Sequence, residues 1–159
     1  MIKKILIANR GEIATRITRT CKSMGIFVVA VYSDADKNAL HTREADRSIH
    51  LGDSLAENSY LNYKKIIKIA LENKVDAIHP GYGFLSENPD FAKAVKKNNI
   101  KFIGPSVSSM KSMSLKNDAR SMMEKIGVPV LPGFSADGLS ENQILKKCEN
   151  IGFPLIIKA

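Results

Sequence analysis

Tryptophan is absent from this 159-residue sequence, cysteine occurs only twice, and long apolar runs are missing. No run approaches the roughly 18 apolar residues that a membrane-spanning helix needs, so we expect no membrane partner. The apolar run behind Lys3 and Lys4 ends at Ala8, too soon for the apolar part of a secretory signal. Cys21 and Cys148 lie far apart and lack metal-ligand spacing, which predicts free thiols. These features favour a cytoplasmic protein.

Positive charge is in modest excess, because 24 Lys and Arg residues face 16 Asp and Glu residues and give a formal net charge of +8. Most of the excess is lysine, spread over segments that look like exposed helix faces. A nucleic-acid site would favour arginine and aromatic residues on one element, and only 6% of the chain is aromatic. We therefore predict a solvated surface and no nucleic-acid partner, and leave open a weak preference for anionic ligands.

Apolar residues make up 44% of the chain and charged residues 25%, which is typical of a globular domain. Residues 2–8 and 27–32 are nearly continuous apolar runs, which predicts two strands buried on both faces. Between them an apolar stripe predicts a helix that Gly25 would end. The stripe consists of Ile13, Ile17, Cys21 and Met24. Strand, helix and strand with short connections indicate parallel pairing.

The same alternation continues to about residue 104 and predicts an α/β fold with a doubly wound parallel sheet. Asn88 and Pro89 have the residue types that open a helix, as N-cap and first helical residue. Helices are expected at 61–73 and 88–98, and further strands at 48–51, 75–79 and 101–104.

The pattern changes after residue 104, so we divide the chain into a first domain at 1–104 and the start of a second at 105–159. Helical segments are expected over 106–126 and 141–150, and the second has a capping-box sequence at Ser140 and Gln143. Residues 153–158 are predicted to form a strand. No further strand follows that could pair with it, so we expect that the end of the sequence does not coincide with the end of a folded domain. We also expect the segment beyond about residue 130 to be mobile in solution.

The loop at 8–14 follows the first predicted strand, where doubly wound sheets bind ligands. It contains one glycine and no GxGxxG pattern, so close backbone approach to a pyrophosphate is not provided for. Two interpretations stay open: a dinucleotide site, and a tight turn with Glu12 placed favourably at a helix start.

The loop at 79–88 also follows a predicted strand. Two glycines flank Tyr82 and allow turns that expose its ring, and Glu87 adds a carboxylate nearby. The loop is therefore either a ligand loop for a polar molecule or a structural turn. His79, on the strand end beside Pro80, is expected to be a hydrogen-bonded core residue rather than a base.

Both loops closely resemble biotin carboxylase, with Ile-Ala-Asn-Arg-Gly-Glu-Ile-Ala at 7–14 and His-Pro-Gly-Tyr-Gly-Phe-Leu-Ser-Glu-Asn at 79–88. Phe-Ile-Gly-Pro at 102–105, Gly-Val-Pro-Val at 127–130 and Gly-Phe-Pro-Leu-Ile-Ile-Lys-Ala at 152–159 also match in order and spacing. The resemblance covers the whole chain. It implies a preATP-grasp, Rossmann-like domain followed by the beginning of an ATP-grasp domain, as the N-terminal part of an ATP-dependent C–N ligase.

The family reaction joins bicarbonate to ATP as carboxyphosphate and then carboxylates the biotin of a carrier. The resemblance implies ATP, Mg²⁺ and carrier-bound biotin, with Lys116 and Lys158 at the nucleotide phosphates. An ammonium group at the end of the apolar run 155–157 needs an anionic partner or solvent, which agrees with that role. The loop contacts implied on the biotin and bicarbonate side are Tyr82, Gly83 and Glu87.

The partners implied by the resemblance are a biotin carboxyl carrier protein or domain, a carboxyltransferase, and a second copy in a homodimer. Arg16 and Arg19 on the first helix match the dimer contact of bacterial relatives. The acidic residue expected at position 23 is Ser23 here, so we predict no ion pair from it across that contact. The parent carboxylase, for acetyl-CoA, propionyl-CoA, methylcrotonyl-CoA or pyruvate, is not indicated.

The family's Gly-rich phosphate loop and acidic Mg²⁺ ligands come after the position of Ala159. We therefore place no catalytic or metal-binding residue in this chain, and we expect the 159 residues alone to be inactive. One alternative is another ATP-grasp ligase, of purine or carbamoyl phosphate synthesis, against which the 79–88 sequence argues. The other is a non-catalytic α/β module that binds an anionic nucleotide or a partner domain.

Overall fold

The computed structural model describes residues 1–114 and 116–157, with the side chains of 114–118 left out. The chain forms two compact units, Met1–Lys111 and Ser112–Ala159. None of the helices in the described part of the chain is long and apolar enough to cross a bilayer.

The first unit contains five parallel strands in the order β3-β2-β1-β4-β5, which confirms the doubly wound prediction. Two 3₁₀ turns, Asp34–Asp36 and Ala56–Asn58, flank β3. The strands are β1 (Lys4–Ile7), β2 (Phe27–Ser33), β3 (Arg47–Gly52), β4 (Ala77–His79) and β5 (Lys101–Phe102). The helices are α1 (Gly11–Ser23), α2 (Leu40–Glu44), α3 (Tyr63–Glu72), α4 (Pro89–Lys97) and α5 (Val107–Ser114), the last crossing the boundary between the units.

Helices cover both faces of the sheet because successive side chains of each strand point to opposite faces. In β1, Leu6 joins the core cluster that contains Ile66 of α3 and Phe91 of α4. Ile5 and Ile7 belong to a second cluster with the apolar stripe of α1. This explains why residues 5–8 are all apolar.

The ends of the helices follow their local sequences. Gly25 adopts φ +70 just after α1, and the side chain of Asn88 accepts a hydrogen bond from the Phe91 N–H at 2.9 Å, as predicted. The prediction for Met24 is wrong, since its side chain is 67% exposed. Met24 caps α1 one residue past its last turn and so leaves the buried stripe.

The second unit holds α6 (Lys116–Lys125) and α7 (Glu141–Ile151). The Ser140 N–H donates to Oε1 of Gln143 at 2.9 Å, as expected from the capping-box sequence. The strand predicted at 153–158 does not form over its described residues 153–157. A strand exists only through pairing, and no described segment pairs with this one.

The lysines and the two cysteines are found as predicted, the lysines mostly on the surface and the cysteines as free thiols. On α3, α4 and α7, Lys65 is half-buried and the other lysines are exposed: Lys64, Lys68, Lys93, Lys96, Lys97, Lys146 and Lys147. Cys21 and Cys148 are both free, and burial raises the pKa of the Cys21 thiol.

Candidate functional site

The two loops singled out in the sequence meet at the carboxyl ends of β1 and β4. These strands are neighbours in the sheet, and the chain leaves β1 for β2 on its other side, so strand order reverses between them. Open α/β sheets bind ligands at such a point. A cleft of about 410 Å³ lies there. It is lined by Asn9, Arg10, Gly11, Glu12 and Ile13 from the first loop and by Tyr82, Gly83 and Phe84 from the second.

Asn9 joins the two loops. Its buried side chain donates from Nδ2 to the carbonyl oxygens of Pro80 and Tyr82, at 2.7 and 2.8 Å. Its Oδ1 accepts from the Arg10 N–H at 2.9 Å, so all of its hydrogen bonds serve the loops themselves. A Cβ atom on Gly81 would come within 2.6 Å of Asn9 Nδ2, and Gly81 has φ +68, so only glycine fits this approach.

His79 closes β4 and is half-buried. Its Nδ1 accepts a hydrogen bond from the Gly81 N–H at 3.0 Å, which places the proton of the neutral ring on Nε2. Burial lowers the pKa of His79 and favours the same neutral form. The predicted hydrogen bond of His79 is confirmed, but the ring is half-buried rather than part of the core, and its exclusion as a base stays a prediction.

Tyr82 projects from the second loop with 60% of its side chain exposed, as the flanking glycines predict. Its hydroxyl donates to Oε2 of Glu12 over a long 3.5 Å. A weak contact of this kind leaves the phenol and the carboxylate able to bind a polar ligand. Gly83 lines the cleft beside Tyr82, whereas Glu87 is exposed and is not among the lining residues.

Arg10 supplies a cation at the cleft. Its Nη1 lies 3.3 Å from Oδ2 of Asp36, and its guanidinium carbon lies 5.6 Å from the ring centroid of Phe84. In the sequence, Arg10 stands out only as part of the first loop, and Asp36 is not indicated as a site residue at all. Asp36 is 26 residues away in a polar stretch, and nothing in that stretch signals which cation it meets.

The arginines matched to a dimer contact already have acidic neighbours within the chain. Arg16 lies 3.4 Å from Oε1 of Glu12, one turn earlier on α1. Arg19 makes a bidentate pair with Glu44 of α2, at 2.9 and 2.7 Å, and its hydrogen bond lowers the pKa of the Glu44 carboxyl. The Ser23 hydroxyl donates to the Thr20 carbonyl, so it caps its own helix.

The resemblance matches Lys116 and Lys158 to the ATP phosphates. Lys116 is the first residue of α6, but its side chain is among those left out, and Lys158 lies outside the described residues. Among the side chains that the structure describes, no group of three or more His, Cys, Asp and Glu residues is arranged to hold a metal ion.

Residues 1–110 match the family model described as "Biotin carboxylase, N-terminal domain", and residues 116–159 match "Carbamoyl-phosphate synthase L chain, ATP binding domain". The chain is 49% identical to "Biotin carboxylase 1" of Bacillus subtilis over 161 residues, which is all of this chain and 35% of that protein. It is 49% identical to the methylcrotonoyl-CoA carboxylase subunit alpha of Dictyostelium discoideum, over 99% of this chain and 23% of that protein.

Solved structures show the same likeness. A biotin carboxylase complex from Campylobacter jejuni superposes with a TM-score of 0.89 at 50% identity, covering 97% of this chain and 34% of that chain. The biotin carboxylase domain of a thermophilic 2-oxoglutarate carboxylase bound to bicarbonate gives 0.88 at 40% identity, covering all of this chain and 36% of that one. The chain thus spans about a third, or less, of the length of these relatives.

Proposed function

The chain belongs to the biotin carboxylase family through its N-terminal domain, and we propose that it acts as the N-terminal part of an ATP-dependent ligase that carboxylates carrier-bound biotin with bicarbonate. The observation that carries the proposal is the cleft between β1 and β4, where the two loops that match the family meet. In this proposal the reaction proceeds through carboxyphosphate.

The second loop is proposed to face biotin and bicarbonate. Tyr82 offers an exposed ring and hydroxyl, and Gly83 offers backbone without a side chain in the way. Glu87 follows on the same loop and has an exposed carboxylate. Because Glu87 does not line the cleft, it would contact only a ligand that extends beyond the cleft. A binding site for a small molecule such as biotin combines apolar surface with a few polar groups that fix the orientation of the ligand.

ATP is proposed to bind through the segment that matches an ATP-binding domain, with Lys116 and Lys158 at the phosphates. An ammonium group binds phosphate as a compact charge, and each such contact contributes about 1.5–3 kcal/mol. The described residues hold no cluster that suits Mg²⁺, so no step at the metal is assigned to them.

The proposed partners are a biotin carrier, a carboxyltransferase and a second copy of the enzyme. The related biotin carboxylase domain of Hydrogenobacter thermophilus is described as a dimer. If α1 lies at such a contact here, Arg16 and Arg19 would meet the second copy already neutralised by Glu12 and Glu44. The relatives' names include methylcrotonoyl-CoA and pyruvate carboxylases, so the final acceptor is left unassigned.

A chimeric enzyme tests the proposal. Residues 1–159 replace the matching N-terminal segment of the Bacillus subtilis biotin carboxylase, and ADP release is measured with bicarbonate and free biotin. We expect biotin-dependent turnover, and we expect Lys158→Ala to weaken ATP binding about 10- to 150-fold, the equivalent of one charge-assisted contact. Lys93→Ala, on an exposed face of α4, serves as the matched control.

Two outcomes would contradict the proposal. A folded chimera that binds ATP but never responds to biotin would remove the assigned activity from this cleft. Bicarbonate-dependent ATP hydrolysis by the purified 159-residue chain alone would contradict the expectation that these residues supply only part of the site.

A further inference from the structure

The turn that carries Tyr82 and Gly83 has an unusual backbone. Gly81, Gly83 and Phe84 all adopt left-handed φ values, of +68, +65 and +39. Glycine does so freely, but a residue with a Cβ atom does so only when surrounding contacts hold it there. The ring of Phe84 is therefore expected to be the part of the turn that is held.

Phe84 packs against the core cluster that contains Leu6 and Tyr60, and Arg10 contacts its ring from outside that cluster. The Phe84 ring stacks on that of Tyr60, with centroids 5.1 Å apart and planes 15° from parallel. The Arg10 guanidinium lies 5.6 Å from the Phe84 centroid and 5.5 Å from the Tyr60 centroid, within range of a cation–π contact with both. Arg10 and Tyr60 thus form a platform for the turn.

One carboxylate oxygen orients this platform. Oδ2 of Asp36 accepts from the Tyr60 hydroxyl at 2.8 Å, from the Ser33 hydroxyl at 2.7 Å and from Arg10 Nη1 at 3.3 Å. Burial alone would raise the pKa of Asp36, but the hydrogen bonds from the two hydroxyls and the guanidinium outweigh it and lower the pKa. The carboxylate therefore stays charged at neutral pH.

The first loop holds the second at two successive positions. Asn9 binds the backbone carbonyls of Pro80 and Tyr82, and Arg10 binds the ring of Phe84. The cleft-lining backbone of Gly83 lies between these two points. Any change in the direction of the Arg10 side chain is thus expected to move the segment that presents Tyr82 and Gly83.

We propose that Arg10 and Asp36 are positioning residues, which set the Tyr82–Gly83 segment for biotin by holding the Phe84 ring against Tyr60. The inference rests on the proposed function only for the identity of the ligand. The placement of the turn is a property of the 159-residue chain and can be measured without activity.

The direct test is nuclear magnetic resonance of the ¹⁵N-labelled chain. Arg10→Lys keeps the charge but loses the planar group, and Asp36→Asn keeps the shape but loses the charge. We expect both to shift the amide signals of Gly83 and Phe84, with circular dichroism unchanged. The matched controls are Arg47→Lys and Asp34→Asn, exposed residues of β3 and of the 3₁₀ turn at 34–36, and both are expected to leave those signals in place.

The chimeric enzyme supplies the second readout. If the pair positions the turn, Arg10→Lys raises the KM for biotin about 10- to 100-fold, as for a small misplacement of a binding group, while the KM for ATP stays within about twofold. Phe84→Gly removes both the ring and the strained conformation. Adding Arg10→Lys to Phe84→Gly is therefore expected to leave the KM for biotin unchanged.

Unmoved Gly83 and Phe84 signals in Arg10→Lys would overturn the positioning role, whatever the kinetics. A rise in the KM for bicarbonate alone, with those signals unmoved, would make Arg10 an anion ligand instead. A chimera without any response to biotin would contradict the proposed function, while the amide shifts would still decide the role of Arg10 and Asp36.

Discussion

The two units of the chain differ in what their apolar residues achieve. In Met1–Lys111, apolar side chains of strands and helices are buried in two clusters on opposite faces of one sheet. In the second unit, none of the residues whose side chains are described is buried. Leu131, Phe153 and Ile157 are 87%, 77% and 94% exposed.

The local helix signals in the sequence do not explain why the second unit leaves its apolar residues exposed. Helix α7 has an N-terminal capping sequence and an apolar stripe, as α4 does, yet its stripe residues Ile144 and Cys148 are only half-buried. An amphipathic pattern predicts where an apolar face lies, but the face is buried only when a second layer packs on it.

The largest contrast is expected in amide hydrogen exchange. The amides of β1 lie in the centre of a paired sheet, so we expect them to exchange only through global unfolding. Amides at 155–157 belong to no strand and should exchange roughly 10³-fold faster or more. Equal protection at both places, measured on the dilute monomer, would mean that the second unit is self-sufficient.

A matched pair of phenylalanines gives the next largest effect. Phe91 is fully buried and meets Phe102 edge to face, so Phe91→Ala should lower the free energy of unfolding by about 3–5 kcal/mol. Phe153→Ala removes an exposed ring and should change it by less than about 0.5 kcal/mol. Urea denaturation followed by circular dichroism compares the two, and similar losses would erase the contrast.

The helix caps provide a smaller test. Asn88 binds the Phe91 N–H at the start of α4, so Asn88→Ala should cost about 1 kcal/mol. Ser140→Ala at the start of α7 should leave the main urea transition unchanged, because that transition reports the unit with a core. The comparison fails if Ser140→Ala shifts the midpoint as much as Asn88→Ala does.

Acid sensitivity is the smallest expected effect. The N–H groups of Lys3 and Lys4 donate to Oδ2 of Asp76 at 2.7 and 2.8 Å and lower the pKa of that exposed carboxyl. A carboxyl whose pKa is lower in the folded than in the unfolded state stabilises the fold at pH values above its ordinary pKa of about 4. This contribution is lost as the pH falls through the folded pKa. Asp76→Asn should therefore flatten the loss of stability below about pH 4. Urea midpoints across pH measure it, and Asp137→Asn in the other unit should leave the first unit's profile unchanged.

Much of the first unit could be predicted from its sequence because its signals are local. The nearly continuous apolar run that contains β1, the glycine after α1 and the Asn88 cap each act within a few residues of where they occur. The position of both loops after strands followed from the same alternation. The predicted strand at 153–158 failed over its described residues because pairing is not a local property.

Which groups meet in the cleft was decided by the tertiary structure. Alternation alone predicts parallel strands, but only the strand order places β4 beside β1 and so brings Tyr82 to Glu12, 70 residues earlier. The tertiary structure likewise pairs Arg10 with Asp36 and Arg19 with Glu44. Nothing in the sequence around these residues indicates which charge each of them meets. Hydrophobic periodicity and capping depend on neighbouring residues, whereas the pairing of charges between elements distant in sequence depends on distances that exist only after the chain has folded.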